Sequence, residues 1–273
     1  MIHIVLLIAT IFTTLVMGTL LEGVNPISNI SNLTAGVPFS VTLMTILGVH
    51  ELGHYYFSRR NGVSATLPYF IPSPILPGTF GAFIKIKSPI LNRRALLDIG
   101  AAGPIAGFIV AIVAMAIGLE SSEVRKIPEM GITYKLGEPI IFSIISRIVI
   151  GEVPKGFDIY IGSIAFAGWI GAFVTAFNLL PIGQLDGGHI IYALFGKKHE
   201  KIAKVAFFSL FPLAFFWIGW LFLAFLALII KINHPPPEDE TTKLDLKRKV
   251  IGGICILIFI LCFTFVPLSI ENG

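Results

Sequence analysis

The chain has 273 residues, 55% of them hydrophobic and only 13% charged, against about a quarter charged in an ordinary soluble domain. Its mean hydropathy is +0.87, and its apolar residues fall in runs long enough to cross a bilayer, which excludes a soluble domain and indicates an integral, multi-pass membrane protein. The net charge of +4 reads as loop charge against a membrane surface; no basic patch is interleaved with aromatics on a polar segment, so nucleic acid is excluded as a partner.

Residues 2–21 form a first apolar run, too long for a signal-peptide core and without a basic leader or small-residue cleavage site. A retained span is expected there. The Asn/Ser-rich linker 22–36 holds sequons at Asn29 and Asn32, which such a composition produces by itself. A second span, 37–57, carries His50-Glu51-Leu52-Gly53-His54 in its last third, with Arg59 and Arg60 as anchors behind it. Positions four apart on a helix lie ~40° apart around its axis, so both imidazoles share one face. Two neutral imidazoles are a ready ligand pair for a zinc-like ion, and a Glu between them can take a proton from water that the ion acidifies. Ionisable groups inside a span are functional candidates by default.

The segment Leu67–Pro77 has too many prolines for a helix. After it, Phe83, Lys85 and Lys87 alternate with Ile84 and Ile86, the pattern of a short half-buried strand. A small membrane-associated β element is therefore expected around 79–89. It could offer its edge to an extended substrate, the alternative being an amphipathic surface loop. In the third span, 95–119, Gly100, Gly103 and Gly107 with Ala101, Ala102 and Ala106 leave one side nearly bare, which permits close helix approach. Pro104 suggests a kink. Asp98 reads as an interfacial ion pair with Arg93 or Arg94, or as charge at a helix N-terminus.

The segment 120–158 mixes both charges around an apolar stretch, 140–150, expected as an interfacial helix. A fourth span, 159–180, runs into Asn178-Leu-Leu-Pro181-Ile-Gly-Gln-Leu185-Asp186-Gly187-Gly188 and then a basic stretch. A fifth, 206–230, precedes a polyproline connector starting at His234. The last, 250–267, holds Cys255 and Cys262, expected on one helix face and unbonded. The expected fold is an all-α polytopic membrane protein of about six transmembrane helices: one integral domain over 1–273, with a three-helix catalytic core over 37–189 and accessory spans 2–21, 206–230 and 250–267. Arg pairs at both ends of 58–94 place that segment, with 182–204, on the cytoplasmic side.

A hydrolytic zinc site takes three protein ligands and keeps a fourth position for water. Asp186 is the strongest third ligand, being the only acid between Asp158 and Glu200 and followed by two glycines where a helix break could turn it inward. A helix cap at a turn is the alternative. His189 is a weaker choice, since adding it would fill the position water needs, and His3, His199 and His234 are given no role.

The two motifs together resemble the site-2 protease family of intramembrane zinc metalloproteases, which combines H-E-x-x-H in one span with N-x-x-P-x-x-x-L-D-G in a later one. Asn178, Pro181, Leu185, Asp186 and Gly187 match the second motif throughout. The stretches 48–54, 66–72 and 93–104 resemble the archaeal, bacterial and chloroplast branch, without room for a PDZ domain between the third and fourth spans and without a C-terminal nucleotide-sensing domain. The resemblance implies that His50, His54 and Asp186 bind Zn2+, that Glu51 is general base and then acid, and that Asn178 meets substrate or the developing oxyanion. It also implies that the strand near 81–88 aligns an unwound substrate helix, whose carbonyls are otherwise tied up in internal hydrogen bonds. The implied activity is hydrolysis of peptide bonds within or near transmembrane segments of membrane-protein substrates, in regulated proteolysis or clearance of signal-peptide remnants, in the cell membrane of a prokaryote. A metal transporter could use the same three ligands for transit, but no inverted repeat or polar pathway accompanies them. An inactive scaffold would have no need of intact ligands and Glu51.

Overall fold

A computed structural model describes residues 1–127, 132–230 and 232–272. Helix α1 (Ile2–Leu21) carries no charged side chain, and its threonines hide their hydroxyls by donating to carbonyls one turn back: Thr10 to Leu6 at 2.8 Å and Thr14 to Thr10 at 2.8 Å. That is how a polar group is satisfied without water. A 3-10 turn at Ile30–Gly36 leads into α2 (Val37–Arg60). The two helices meet where Gly18 lies on Gly36, a Cβ on the former falling 2.7 Å from the latter's carbonyl oxygen, and Thr14 Oγ1 and Ser40 Oγ are 2.7 Å apart.

Beyond α2 the chain forms an antiparallel hairpin of β1 (Tyr69–Pro72) and β2 (Thr79–Phe83), with Tyr69 opposite Phe83 and Phe70 opposite Ala82. The expected β element is there. Its regular strand is shorter than 79–89, and pairing continues past it only as an isolated bridge, Ala65 to Ile86. Helix α3 (Arg93–Glu120) is capped by Asn92, whose side chain accepts from the Arg94 and Ala95 N–H groups; it runs on through Pro104. Asp98 pairs with neither neighbouring arginine. Arg93 donates to the Ala193 carbonyl at 2.7 Å and Arg94 to the Lys243 carbonyl at 2.9 Å, while Asp98 takes two bonds from Arg248, at 2.9 and 2.7 Å. Those bonds clamp the start of α3 to the start of α9 (Leu246–Cys262), a partner that local sequence could not name.

The segment after α3 holds β3 (Glu123–Lys126), β4 (Ile132–Leu136), α4 (Ile140–Val149) where a helix is expected, and β5 (Phe157–Tyr160). Strand β3 pairs with β5, and β4 with β6 (Leu268–Asn272) from the far end of the chain. Helix α5 (Ser163–Asn178) packs between α2 and α3 through small residues: a Cβ on Gly118 of α3 would fall 2.2 Å from the Ala165 amide nitrogen, and one on Gly171 2.9 Å from Ile46. Close backbone approach of this kind is how apolar helices associate where burial from water gives no drive. Around the α2–α3–α5 contact lie the fully buried Phe39, Leu43, Leu96, Leu97, Met115 and Leu119.

Helix α6 (Asp186–Phe195) lies against the first half of α3. The apolar run expected as one span over 206–230 is instead two helices, α7 (His199–Leu213) and α8 (Gly219–Ile230), folded back on each other. His199 at the start of α7 and His234 just past α8 meet edge to face, 5.9 Å apart between ring centroids, so the hairpin begins and ends at the same place. Among the described residues three segments are long and apolar enough to cross a membrane: Ile2–Leu21, Ile30–Arg60 and Arg93–Glu120. The protein is thus a mostly helical membrane protein with small two-stranded sheets. Cys255 and Cys262 are buried and unbonded.

Candidate metal centre

His50, Glu51 and His54 are all buried, at 4, 5 and 6% exposure, in the last third of α2. Their helical spacing turns both Nε2 atoms to one point, 3.1 Å apart. Asp186, the first residue of α6, sends its carboxylate to the same point, with Oδ2 3.2 Å from His50 Nε2 and Oδ1 3.2 Å from His54 Nε2. Ligands around a tetrahedral zinc ion, with bonds near 2.0–2.1 Å, lie about 3.3 Å from one another. Among the described residues these three are the one set of three or more His, Cys, Asp or Glu whose ligand atoms all come within 4.8 Å.

The chain around Asp186 explains why two glycines follow it. A Cβ on Gly187 would lie 2.0 Å from the Leu179 carbonyl oxygen and one on Gly188 2.2 Å from that of Gly183, so the turn from α5 into α6 closes only with hydrogen at both places. Asp186 therefore does begin a helix, but its carboxylate faces the two imidazoles. The glycine stripe of α3 has a use beyond close helix packing. A Cβ on Gly103 would meet His54 Nε2 at 2.1 Å, one on Gly107 His50 Nδ1 at 3.0 Å, and one on Gly100 the Cβ of His189 at 2.7 Å. Each glycine leaves room for one histidine.

The donor chemistry fits a zinc ion. His54 Nδ1 lies 2.8 Å from the Ile99 carbonyl oxygen; donating its proton there leaves a lone pair on Nε2 and fixes the ring, the usual outer partner of a metal-bound imidazole. Two imidazole nitrogens and one carboxylate leave a fourth position open. Asn178, the last residue of α5, brings its amide nitrogen to 3.3 Å from His50 Nε2. Glu51 sits beside the ligands without joining them, Oε1 being 3.9 Å from His50 Nε2, and the backbone of Ile84 just past β2 hydrogen-bonds its carboxyl. All five residues line a cavity of about 220 Å³ that also touches Ala82, Phe83 and Ile84. The structure thus brings together His50, His54, Asp186, Glu51 and Asn178, and sets the hairpin edge at the rim.

His189 lines the same cavity but turns its ring away from the ligand set, to His234. Sequence gave His199 and His234 no role, and no periodic pattern links them; only the return of the α7–α8 hairpin brings them together. His3 anchors the start of α1 on the hairpin, its Nδ1 3.2 Å from the Pro68 carbonyl oxygen.

A family model described as peptidase family M50 matches residues 38–221, well over half of the chain. A protein of Oryza sativa subsp. indica described as probable zinc metalloprotease EGY2, chloroplastic, is 29% identical over 92% of this chain and 47% of its own length. Probable zinc metalloprotease EGY1, chloroplastic, of Arabidopsis thaliana is 30% identical over 87% of this chain and 44% of its own. The chain spans about half the length of the curated relatives it matches. They are chloroplastic proteins, so the expected prokaryotic cell membrane finds no support in them. No solved structure matches the chain.

Proposed function

The chain belongs to peptidase family M50, and from that premise we propose that it is a zinc metalloprotease that hydrolyses peptide bonds within or near transmembrane segments of membrane proteins. One observation carries the reading: ligand atoms of His50, His54 and Asp186 converge from α2 and α6 beside a buried Glu51 that is not itself part of the set. When bound, a zinc ion supplies a Lewis acid that acidifies water and polarises a carbonyl. Glu51 takes the proton from the attacking water and returns it to the leaving amide nitrogen, acting as base and then acid. Asn178 directs its amide N–H at the oxygen that gains charge in the transition state, where a fixed donor counts most. The β2 edge holds the substrate extended, because a helical span keeps its carbonyls in internal hydrogen bonds.

The test is purification of the full chain in detergent, zinc analysis, and incubation with a membrane-spanning peptide. We expect one zinc per chain and cleavage inside the apolar stretch, with Asp186→Ala losing both. Cleavage that survives complete removal of zinc would sink the proposal.

We further infer fewer than six crossings: α1, α2 and α3 are long and apolar enough to cross, while the α7–α8 hairpin enters and leaves at one face. Lys197 and Glu238, both exposed, then share that face. With Cys255 and Cys262 replaced by alanine, Lys197→Cys and Glu238→Cys should react with an impermeant maleimide from the same side of sealed vesicles. Labelling from opposite sides would mean that 206–230 crosses once.

A further inference from the structure

Behind the candidate centre, where the α7–α8 hairpin opens, three imidazoles are gathered from three elements: His189 of α6, His199 of α7 and His234 beyond α8. Ring centroids of His189 and His234 are 4.7 Å apart, and those of His199 and His234 5.9 Å. His199 is 1% exposed and His234 8%. Burying an imidazole nitrogen with nothing to bond is unfavourable, and native chains rarely leave one so. Yet His199 Nε2 and His234 Nδ1 are both buried without a hydrogen-bond partner, and the only other such side-chain atom among the described residues is Ser58 Oγ. Tyr192 stands against both rings, at 5.8 and 5.1 Å, but its hydroxyl is engaged by Glu240.

The backbone of Pro235 lies against the His234 ring, and its partner on the other side is informative. Its Nε2 meets His189 Nδ1. In the tautomer in which His234 donates from Nε2, its Nδ1 is a bare lone pair, and His189 plays the outer-partner role that fixes a metal-binding imidazole.

We propose that His199 Nε2 and His234 Nδ1 form a second binding site for a divalent transition metal ion, separate from the set of His50, His54 and Asp186. Two imidazole nitrogens suit a borderline cation of the zinc or cobalt type and not magnesium or calcium, which take oxygen. With only two protein ligands, water completes the coordination and the site is the weaker of the two. The ion ties the mouth of the hairpin together, joining the start of α7 to the chain leaving α8. Through His189, that contact reaches the wall of the cavity that holds Asp186.

The probe is Co2+ added to the full chain in detergent after removal of metal by chelation, followed by equilibrium dialysis and visible absorption. We expect two Co2+ per chain, one tight and one weaker. His50→Ala with His54→Ala should abolish the tight class and keep the weaker one. His199→Gln with His234→Asn, which preserve polarity at the bare atoms, should keep the tight class and weaken the other by at least about tenfold. Circular dichroism and gel filtration check that each variant is folded, and the second pair reports on the site even where the first pair does not fold. A single Co2+ lost with His50→Ala and His54→Ala would overturn this proposal and leave the peptidase reading intact. A single Co2+ lost only with His199→Gln and His234→Asn would uphold it and remove the support for the first centre. Two Co2+ unaffected by His199→Gln and His234→Asn would overturn it.

Discussion

Glu51→Gln is expected to leave one zinc per chain and to slow peptide hydrolysis by roughly 10²–10⁴-fold, the usual weight of a general base. The two effects separate because of where the side chain sits. Glu51 occupies the helix position after His50, and its Oε1 is 3.9 Å from His50 Nε2, whereas both Asp186 oxygens are 3.2 Å from an imidazole nitrogen. The carboxylate is therefore beside the ligand set and outside it. Gln keeps the shape of the buried side chain and can still meet the backbone of Ile84, so packing in α2 is preserved. What it loses is the ability to accept a proton. Zinc content by mass spectrometry and single-turnover cleavage of a membrane-spanning peptide measure the two effects independently. Hydrolysis at the unaltered rate would remove Glu51 from the mechanism, and loss of zinc would place it among the ligands.

The features legible in the sequence are those whose geometry is local. His50 and His54 fall on one face because a helix fixes positions four apart, and the turn that aims Asp186 is written in the two glycines after it. The three glycines of α3 were readable as a close-approach surface, but that each opposes a particular histidine depends on how α2 and α6 lie across α3, which no short window contains. The partner of Asp98 is hidden for the same reason: Arg248 follows it by 150 residues, and the nearby arginines are the obvious choice. The α7–α8 hairpin was hidden by its composition. Residues 214–218, Ala-Phe-Phe-Trp-Ile, are as apolar as the helices on either side, so hydropathy cannot separate one 25-residue span from two shorter helices returning on themselves. Pro212 falls in the last turn of α7, where it marks the break only once the break is known. Pairing of β4 with β6 joins short strands far apart in sequence, and such pairs carry almost no local signal.

Gly103→Ala should disable the centre although Gly103 is itself neither a ligand nor a titratable or substrate-contacting residue. On helix propensity alone the change is favourable by about 1 kcal/mol, and nothing in the backbone of α3 forbids it. Sterics decide otherwise. The new Cβ would lie 2.1 Å from His54 Nε2 and 2.5 Å from both Cδ2 and Cε1, against the ~3.5 Å at which non-bonded atoms rest. Neither side can yield easily. The His54 ring is held through Nδ1 by the Ile99 carbonyl, and α3 already lies on α2, since a Cβ on Gly53 would come within 2.8 Å of the Ala102 carbonyl oxygen. The ring must turn off that bond, and its Nε2 leaves the point shared with His50 and Asp186. Zinc affinity should fall by roughly 10–100-fold or more, the range seen when the orientation of a metal-bound imidazole is lost, and cleavage should fall with it while the helical content stays. Gly48→Ala is the matched control on α2: its Cβ meets nothing nearer than Phe70 Cζ at 4.0 Å, so zinc and cleavage should be unchanged. Competition with a chromophoric chelator measures both variants. Full zinc affinity in Gly103→Ala would mean that the close seat of α3 under His54 does not set the geometry of the centre.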